Sequence, residues 1–438
     1  MGLKALNIFK KSSLIRDTFI YTLTDAFGKA LGFIILPFLS YYLTPDDLGL
    51  ATNFSVLTSI TVLLAGSVMV NALPYFFYDQ SKEERRSFIS NLLILCSVIC
   101  LFLLATFFVF RNVAINYLKL EFEVILLAIP VTLAQLIQNA NLVLFRLEEK
   151  PKLFAIYQVT YIVLHIILMV VMVIVLRLGG YGRIYADIVA FMVMAVFHMY
   201  RLIKEGYIEI HINFKYIKEL LKFGVPLLPH SLSFWLKGGA DKIIITNFCG
   251  LYQNGLYSMA LTMNSIYNLV SNALMNAYVP SLQKRLSCLT QENEKSEKRS
   301  IIKQNYLIIV VFSIIAVLAV VGAWIILNYL VEEKYKESFK FVPLLILGQW
   351  IYCIYNMSIQ YIYKEKKTLI LGAITFTGSL IQVLLTWLFV RYWGVMGVAY
   401  AAVIGSLLIS LGIFVYSNKV FQMPWFSVFS KQGGLKEN

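Results

Sequence analysis

Twelve long stretches with almost no charge dominate the chain and constrain its fold class before any motif is read. They run at about 18–43, 48–76, 88–110, 122–145, 153–176, 184–203, 222–247, 254–282, 301–330, 340–363, 368–390 and 394–417. Roughly 20 apolar residues cross the hydrocarbon of a bilayer as a helix. In lipid every backbone polar group must be satisfied within its own segment, which favours helices; a β-barrel would show alternating stretches of about ten residues. A water-soluble reading fails on surface chemistry. Hydrophobic residues make up 59% and charged residues 14%, against about 45–50% and 25% in soluble domains. The chain is expected to be all-α, a polytopic membrane protein with twelve transmembrane helices.

The net charge of +14 would suit nucleic acid, but basic residues gathered between apolar spans orient a membrane protein instead. With the amino terminus inside, 27 of the 38 Lys and Arg fall in cytoplasmic segments, 8 in outer loops and 3 within spans. Both termini are therefore expected in the cytoplasm. The basic start (MGLKALNIFKKSSLIRD) is followed by no small-residue cleavage site and reads as a cytoplasmic tail, not a secretory signal. Five cysteines, among them Cys96, Cys100 and Cys353 inside spans, fit neither a disulfide framework nor a zinc spacing.

The chain also repeats itself. Residues 49–74 lie over 255–280 without a gap, with seven of 26 positions identical, including Gly49/Gly255, Ser59/Ser265, Ile60/Ile266 and Pro74/Pro280. Pro130 and Pro343 occupy matching places in spans four and ten. Gly179-x-x-Gly182-x-x-Tyr185-Ala186 recurs as Gly394-x-x-Gly397-x-x-Tyr400-Ala401. The offset grows from 206 to 213 to 215, as a longer 283–300 loop would produce. Six spans are an even number, so both copies enter from the same side: a parallel repeat about an axis along the membrane normal, with the working site between two lobes. The expected organisation is an amino-terminal lobe at 1–203, a linker at 204–221, a carboxy-terminal lobe at 222–417 and a cytoplasmic tail at 418–438. The linker mixes charged and apolar residues and reads as lying along the cytoplasmic interface, with a solvated connection as the alternative.

Ionisable residues inside spans cost about 2.5–3.5 kcal/mol each on insertion scales and usually face a cavity or a partner. Span one carries Asp25 and Lys29 at i,i+4, hence on one face. Span seven carries His230, Lys237 and Asp241 on one face, with Lys242 about 100° away. Under the repeat Lys29 falls on position 235, so Lys29 and Lys237 sit at similar depth. The packing alternative is two intrahelical pairs, Asp25–Lys29 and Lys237–Asp241. Span eight adds Asn264, Asn268, Asn272 and Asn276, an unbroken i,i+4 stripe suited equally to a hydrophilic wall and to interhelical hydrogen bonds. Span four contributes Gln135, Gln138, Asn139 and Asn141, and later spans Gln349, Asn356, Gln360 and Gln382. His165 and His198 have no companions in their spans and read as packing residues. Prolines 37, 226 and 229 bend the two charge-bearing spans. Pro45-Asp46-Asp47 reads as a helix start rather than a metal site.

Twelve spans, a six-plus-six parallel repeat and short outer loops resemble the multidrug/oligosaccharidyl-lipid/polysaccharide (MOP) exporter superfamily, and within it the polysaccharide-transporter branch of O-antigen-type flippases. The residues that carry the resemblance are Leu43-Thr44-Pro45-Asp46-Asp47-Leu48-Gly49, Gly255-Leu256-Tyr257-Ser258-Met259-Ala260, Pro280 and Gly394-x-x-Gly397. It implies a central cavity like that of the multidrug (MATE) exporters, a bacterial inner (plasma) membrane location, and no cofactor. It also implies an undecaprenyl-pyrophosphate-linked oligosaccharide substrate, moved from inner to outer leaflet for surface polysaccharide biosynthesis. H+ or Na+ would be the coupling ion, and polymerase and chain-length machinery would be partners; nucleic acid would not. Substrate-binding residues would then be Lys29, Lys237, Asn264, Asn268, Asn272, Gln135 and Gln138. Asp25, Asp241 or His230 would carry a coupling proton. Lysines rather than arginines at mid-span meet pyrophosphate as point charges.

A drug exporter of the same superfold is the alternative. It binds organic cations and calls for uncompensated acids in the amino-terminal cavity, whereas Asp25 is matched by Lys29, and Lys237 with Lys242 outnumber Asp241. A membrane polymerase or ligase would be expected to hold its catalytic groups in a large outer loop. No such loop, nucleophile–base arrangement, Gly-rich phosphate cradle or metal motif is present in the sequence.

Overall fold

The computed structural model describes residues 2–291 and 293–425, and these residues are helical almost throughout, with no strand among them. We number the long helices α1 (Gly2–Tyr42), α2 (Pro45–Val62), α3 (Lys82–Val109), α4 (Phe122–Leu147), α5 (Pro151–Met169), α6 (Gly179–Lys204), α7 (Phe214–Gly238), α8 (Ala240–Ser287), α9 (Glu294–Tyr329), α10 (Val342–Lys364) and α11 (Thr368–Val420). Each of the twelve expected spans falls in helix. Nine helical stretches among the described residues are long and apolar enough to cross a membrane. The last of these, Leu369–Val420, is two helices broken at Gly394, and α8 breaks likewise at Gly250. The stretches outside the nine, along α7 and α8, carry His230, Lys237, Asp241 and the asparagine stripe; those polar side chains lower their hydropathy.

Local signals start and shape the helices. Thr44 caps α2 in a capping box: its side chain accepts from Asp47 N while an Asp47 carboxylate oxygen accepts from Thr44 N at 2.9 Å. The acidic pair is thus a helix start. The other Asp47 oxygen accepts from Gly180 N at 2.7 Å, an anion at the first turn of α6. α2 and α5 both pass into π-helical turns, Leu63–Ser67 and Val170–Val175.

The chain divides into two compact units, Met1–Ser258 with Leu330–Tyr335, and Met259–Tyr329 with Lys336–Asn438. In the first, α4 is central: Val124, Ile125, Ala128 and Val131 pack with Leu50, Phe54 and Leu57 of α2 and Ile184 of α6. On its other side Leu136, Ile137, Ala140 and Leu144 pack with Phe88, Leu92 and Cys96 of α3. In the second unit α10 packs on both halves of α11 through Tyr355, Ile359, Ile362, Leu371, Ile409 and Ile413. Half or more of the most apolar window of α4 is buried, against 11% in α9, as expected of a central helix and a lipid-facing one.

The connecting segment takes a form its composition did not suggest. Residues 207–213 have no regular structure, and α3 side chains pin them. Ser90 Oγ donates to Tyr207 O and accepts from Glu209 N, and Asn91 donates to His211 O and accepts from Asn213 N. Ile210, Ile212 and Phe214 stay exposed along it, and helix α7 is already under way by residue 214.

The repeat is visible in backbone geometry. A Cβ on Gly255 would stand 1.8 Å from Pro45 O, and one on Gly49 would stand 2.2 Å from Leu251 O. The contact is reciprocal: 45 and 49 correspond to 251 and 255 at the offset of 206, so the starts of two equivalent helices cross backbone to backbone. Only glycine allows this approach. Gly179 and Gly394 share φ values of 58° and 55°, the left-handed region that favours glycine.

Candidate functional site

A polar cavity of about 300 Å³ lies inside the first unit, lined by Phe54, Ser55, Thr58 and Ser59 of α2, Val131 and Gln135 of α4, Tyr161 of α5, and Asp187 and Phe191 of α6. The hydroxyls of α2 are held by their own helix: Ser55 donates to Ala51 O, Thr58 to Ser55 O and Ser59 to Val56 O. One turn on, Thr61 and Thr132 share a buried hydrogen bond of 2.6 Å that ties α2 to α4.

At the cavity edge His165 Nε2 of α5 stands 2.6 Å from Asp187 Oδ1 of α6, with each side chain about one-fifth exposed. The pair meets the distance of an ion pair, while the ring N–H is not aimed as a hydrogen bond. Tyr161 stacks on His165 with centroids 5.9 Å apart and planes 8° from parallel. His165, expected to lack companions, therefore has a carboxylate. Sequence reading missed Asp187 because its partner lies on another helix, 22 residues away, where no periodicity links them.

Trp235 of α7 joins this cavity to the charged cluster. Its Nε1 donates to Ser59 Oγ at 3.0 Å. Two residues on comes half-buried Lys237, and after a break at Gly239 come buried Asp241 and half-buried Lys242. Asp241 interacts electrostatically with both lysines. Lys237 and Asp241, expected on one face, lie within electrostatic reach of one another, and so does the adjacent Lys242. His230 packs edge-on against Phe234 at 5.1 Å. Asp25 and Lys29 lie on α1, with side chains outside the described residues.

The remaining expected residues separate by burial. Gln135 lines the cavity. Gln138 is buried, and its Oε1 has no partner among the described residues. In the second unit the stripe grades along α8: Asn264 is buried with Oδ1 unpartnered among the described residues, Asn268 is half-buried, and Asn272 and Asn276 are exposed. Gln360 accepts from Gln283 Nε2 at 2.9 Å.

A further network sits where α4 and α6 end and α5 begins. Arg201 is buried over the Phe145 ring at 4.3 Å, hydrogen-bonds Asn141, and meets Glu148 and Glu205 each at 2.5 Å. Asn141 Nδ2 lies 2.7 Å from His198 Nδ1, and Nε2 of that buried histidine has no hydrogen-bond partner among the described residues. Lys150 stands 2.8 Å from Glu148, whose hydrogen bond and charge hold the ammonium above its ordinary range. Tyr207 donates to Glu148 at 2.6 Å, and burial together with that carboxylate pushes its phenol up. Among the described residues no three His, Cys, Asp or Glu converge as a metal site would require.

Comparison with known proteins places this geometry. Protein 1 of the Lsg locus of Haemophilus influenzae is 21% identical over 429 residues, covering 93% of this chain and 98% of that one. Among solved structures, the lipid II flippase MurJ in an inward closed conformation aligns at TM-score 0.71 and 15% identity, covering 91% of this chain and 87% of that one. An inward-facing MATE family multidrug resistance transporter of the MOP superfamily aligns at 0.67 and 17%, covering 88% and 94%. The chain thus shares its fold with these structures. The sequence profile of one family matches residues 38–340, more than half of the chain. The chain belongs to the polysaccharide biosynthesis protein family.

Proposed function

We propose that the protein is a flippase that moves an undecaprenyl-pyrophosphate-linked oligosaccharide from the inner to the outer leaflet of a bacterial inner membrane by alternating access of two lobes, 1–203 and 222–417. Both termini lie in the cytoplasm in this reading, and the protein is not an enzyme. The observation that carries it is the α7–α8 cluster, where two lysines, Lys237 and Lys242, lie within electrostatic reach of the single carboxylate of Asp241. The cluster has one more basic side chain than acidic ones, inside a polar segment. The barrier to flipping is dragging a charged, hydroxyl-rich head group through hydrocarbon. Cations at mid-depth receive the pyrophosphate, Gln135, Gln138, Asn264, Asn268 and Asn272 offer hydrogen bonds to sugar hydroxyls, and the lipid tail stays in the bilayer. Lys29 completes the cationic set.

A cation exporter needs an uncompensated acid in its amino-terminal cavity. Asp187 lines such a cavity, but His165 stands against it, which favours the anionic substrate. Replacing Lys29 or Lys237 by Ala should abolish surface polysaccharide in cells that depend on this protein while leaving it folded and inserted. Normal export in both variants would refute the reading.

A further inference from the structure

We propose that residues 421–425 form a releasable strap over a phosphate site made by Lys298 and Lys364, and that a phosphate-bearing anion takes these lysines and frees the strap. The site lies in the second unit, at the end where α8, α10 and α11 stop and α9 starts; this is the cytoplasmic end in the reading above. Helix α11 ends at Val420, and the five residues that follow turn back over the unit. Met423 N donates to Asn418 Oδ1 at 3.1 Å, and Tyr306 of α9 donates to Trp425 O at 2.8 Å. The buried Trp425 ring stands against Phe414 and Tyr361.

Phe421 is where the strap meets charge. Its ring stacks on Tyr361 with planes 10° from parallel, and the ammonium groups of Lys298 and Lys364 stand 4.3 and 4.4 Å from its centre. A single anion placed where the ring stands meets both. Lys298 also pairs with the half-exposed Glu294 at 2.7 Å, whereas Lys364 has no salt bridge among the described residues. The two ammonium groups are within electrostatic reach of each other, so like charges are held together under the ring. An aromatic face attracts an ammonium through its quadrupole, whereas phosphate oxygens accept charge-assisted hydrogen bonds from it. The exchange therefore favours the anion. Residues 284–303, 364–367 and 419 carry ten Lys and Arg against four Glu, a field that concentrates anions at this end.

Two features leave the strap loosely seated. It belongs to no helix or strand, and the buried Trp425 indole N–H has no partner among the described residues, a penalty that release into water removes. Release acts on α9. Only 11% of the most apolar window of that helix is buried, and Tyr306 ties its first turns to the strap. Freeing the strap loosens those turns. That consequence for transport rests on the flippase reading; the phosphate site does not.

The test uses full-length protein in phosphatidylcholine nanodiscs. Exposure of Trp425 is read as acrylamide quenching, with Trp425→Phe giving the share of the other tryptophans. Sodium pyrophosphate is titrated at constant ionic strength, and in a second arm phosphatidylglycerol replaces part of the lipid. The proposal expects a saturable rise in Trp425 quenching. A response to pyrophosphate assigns the site to free phosphates, a response to phosphatidylglycerol alone assigns it to a lipid head group, and either supports the proposal. Lys298→Gln combined with Lys364→Gln should raise the half-saturating amount at least about tenfold, the size of a lost charge-assisted hydrogen bond. Phe421→Leu, which removes the competing ring and keeps both lysines, should lower it. No response in either arm, or an undiminished response in the double variant, would overturn the proposal. Lys295→Gln, exposed on the same stretch of α9, should leave the response unchanged; a loss equal to that of the double variant would mean a diffuse field and would also overturn it. Lys237→Ala separates the two ideas: lost or retained export there decides the flippase reading, and the Trp425 response should persist in both cases. Its loss in Lys237→Ala would count against the site.

Discussion

The two copies of the repeat share a scaffold and differ in chemistry. Gly179 and Gly394 open equivalent helices with nearly the same φ, and Gly182 and Gly397, three residues on, both press on a carbonyl of the preceding helix, Met172 O and Phe389 O. At the offset of 215 that joins these turns, Asp187 falls on Ala402, and His165 falls on Leu380. The polar networks near the helix ends also differ. The first unit gathers Arg201, Glu148, Glu205 and Lys150, whereas the second has an Arg285–Glu297 pair at 2.8 Å and a neutral chain in which Tyr278 donates to Asn305 at 2.5 Å and Asn305 donates to Tyr361 at 2.8 Å. The copies keep the same backbone turns, while the His165–Asp187 pair belongs to the first and the Lys237, Asp241 and Lys242 cluster to the second.

The largest effect expected from breaking this comparison is at the charged end. Arg201→Met removes one of three partners of buried Glu148, with Lys150 and Tyr207 left in place, and should cost near the lower end of the range for a broken buried pair, about 3–5 kcal/mol. Asn305→Leu in the neutral network should cost about 1–3 kcal/mol, the desolvation of one stranded polar group. Thermal unfolding of the two variants in one detergent should show that order; equal losses would mean the charged network is no more stabilising than the neutral one. At the shared turns, Gly179→Val and Gly394→Val force a β-branched residue to positive φ at about 1–3 kcal/mol each. Gly179→Val should lose more, because its Cβ would stand 2.8 Å from Asp47 Oδ1 whereas nothing lies within 4 Å at Gly394; the reverse order would break the comparison. Gly255→Leu places a side chain where Pro45 O already lies, so the crossing with α2 must open. A lower Tm is expected, with increased alkylation of a cysteine placed at Asn53.

What the sequence made legible follows from distance along the chain. Lys237 with Asp241 and the stripe from Asn264 to Asn276 are i,i+4 patterns, so helical periodicity was enough to find them. The repeat was readable because Gly49 and Gly255 are fixed by a backbone contact that tolerates no other residue. His165–Asp187 and Trp235–Ser59 were not readable, since each joins helices whose pairing depends on tertiary packing. The π-turns carry no sequence signature among apolar residues. The 207–213 segment looked interfacial from composition; Ser90 and Asn91, more than a hundred residues earlier, hold its backbone instead.

Smaller effects sharpen the functional half of the comparison. Ala402→Ser, at the position equivalent to Asp187, should leave export and its pH dependence unchanged. Asn268→Leu should impair export more than stability, measured as surface polysaccharide per folded protein; loss of folding alone would assign that asparagine to packing.

The most direct test of the account is leaflet-resolved flipping in proteoliposomes containing the full-length protein and a polyprenyl-pyrophosphate oligosaccharide. The fraction of sugar accessible to an impermeant oxidant would be followed over time. The account predicts transbilayer movement that requires the wild-type protein and is lost in Lys237→Ala. Movement at the wild-type rate in Lys237→Ala, or none above protein-free vesicles with the wild type, would contradict it.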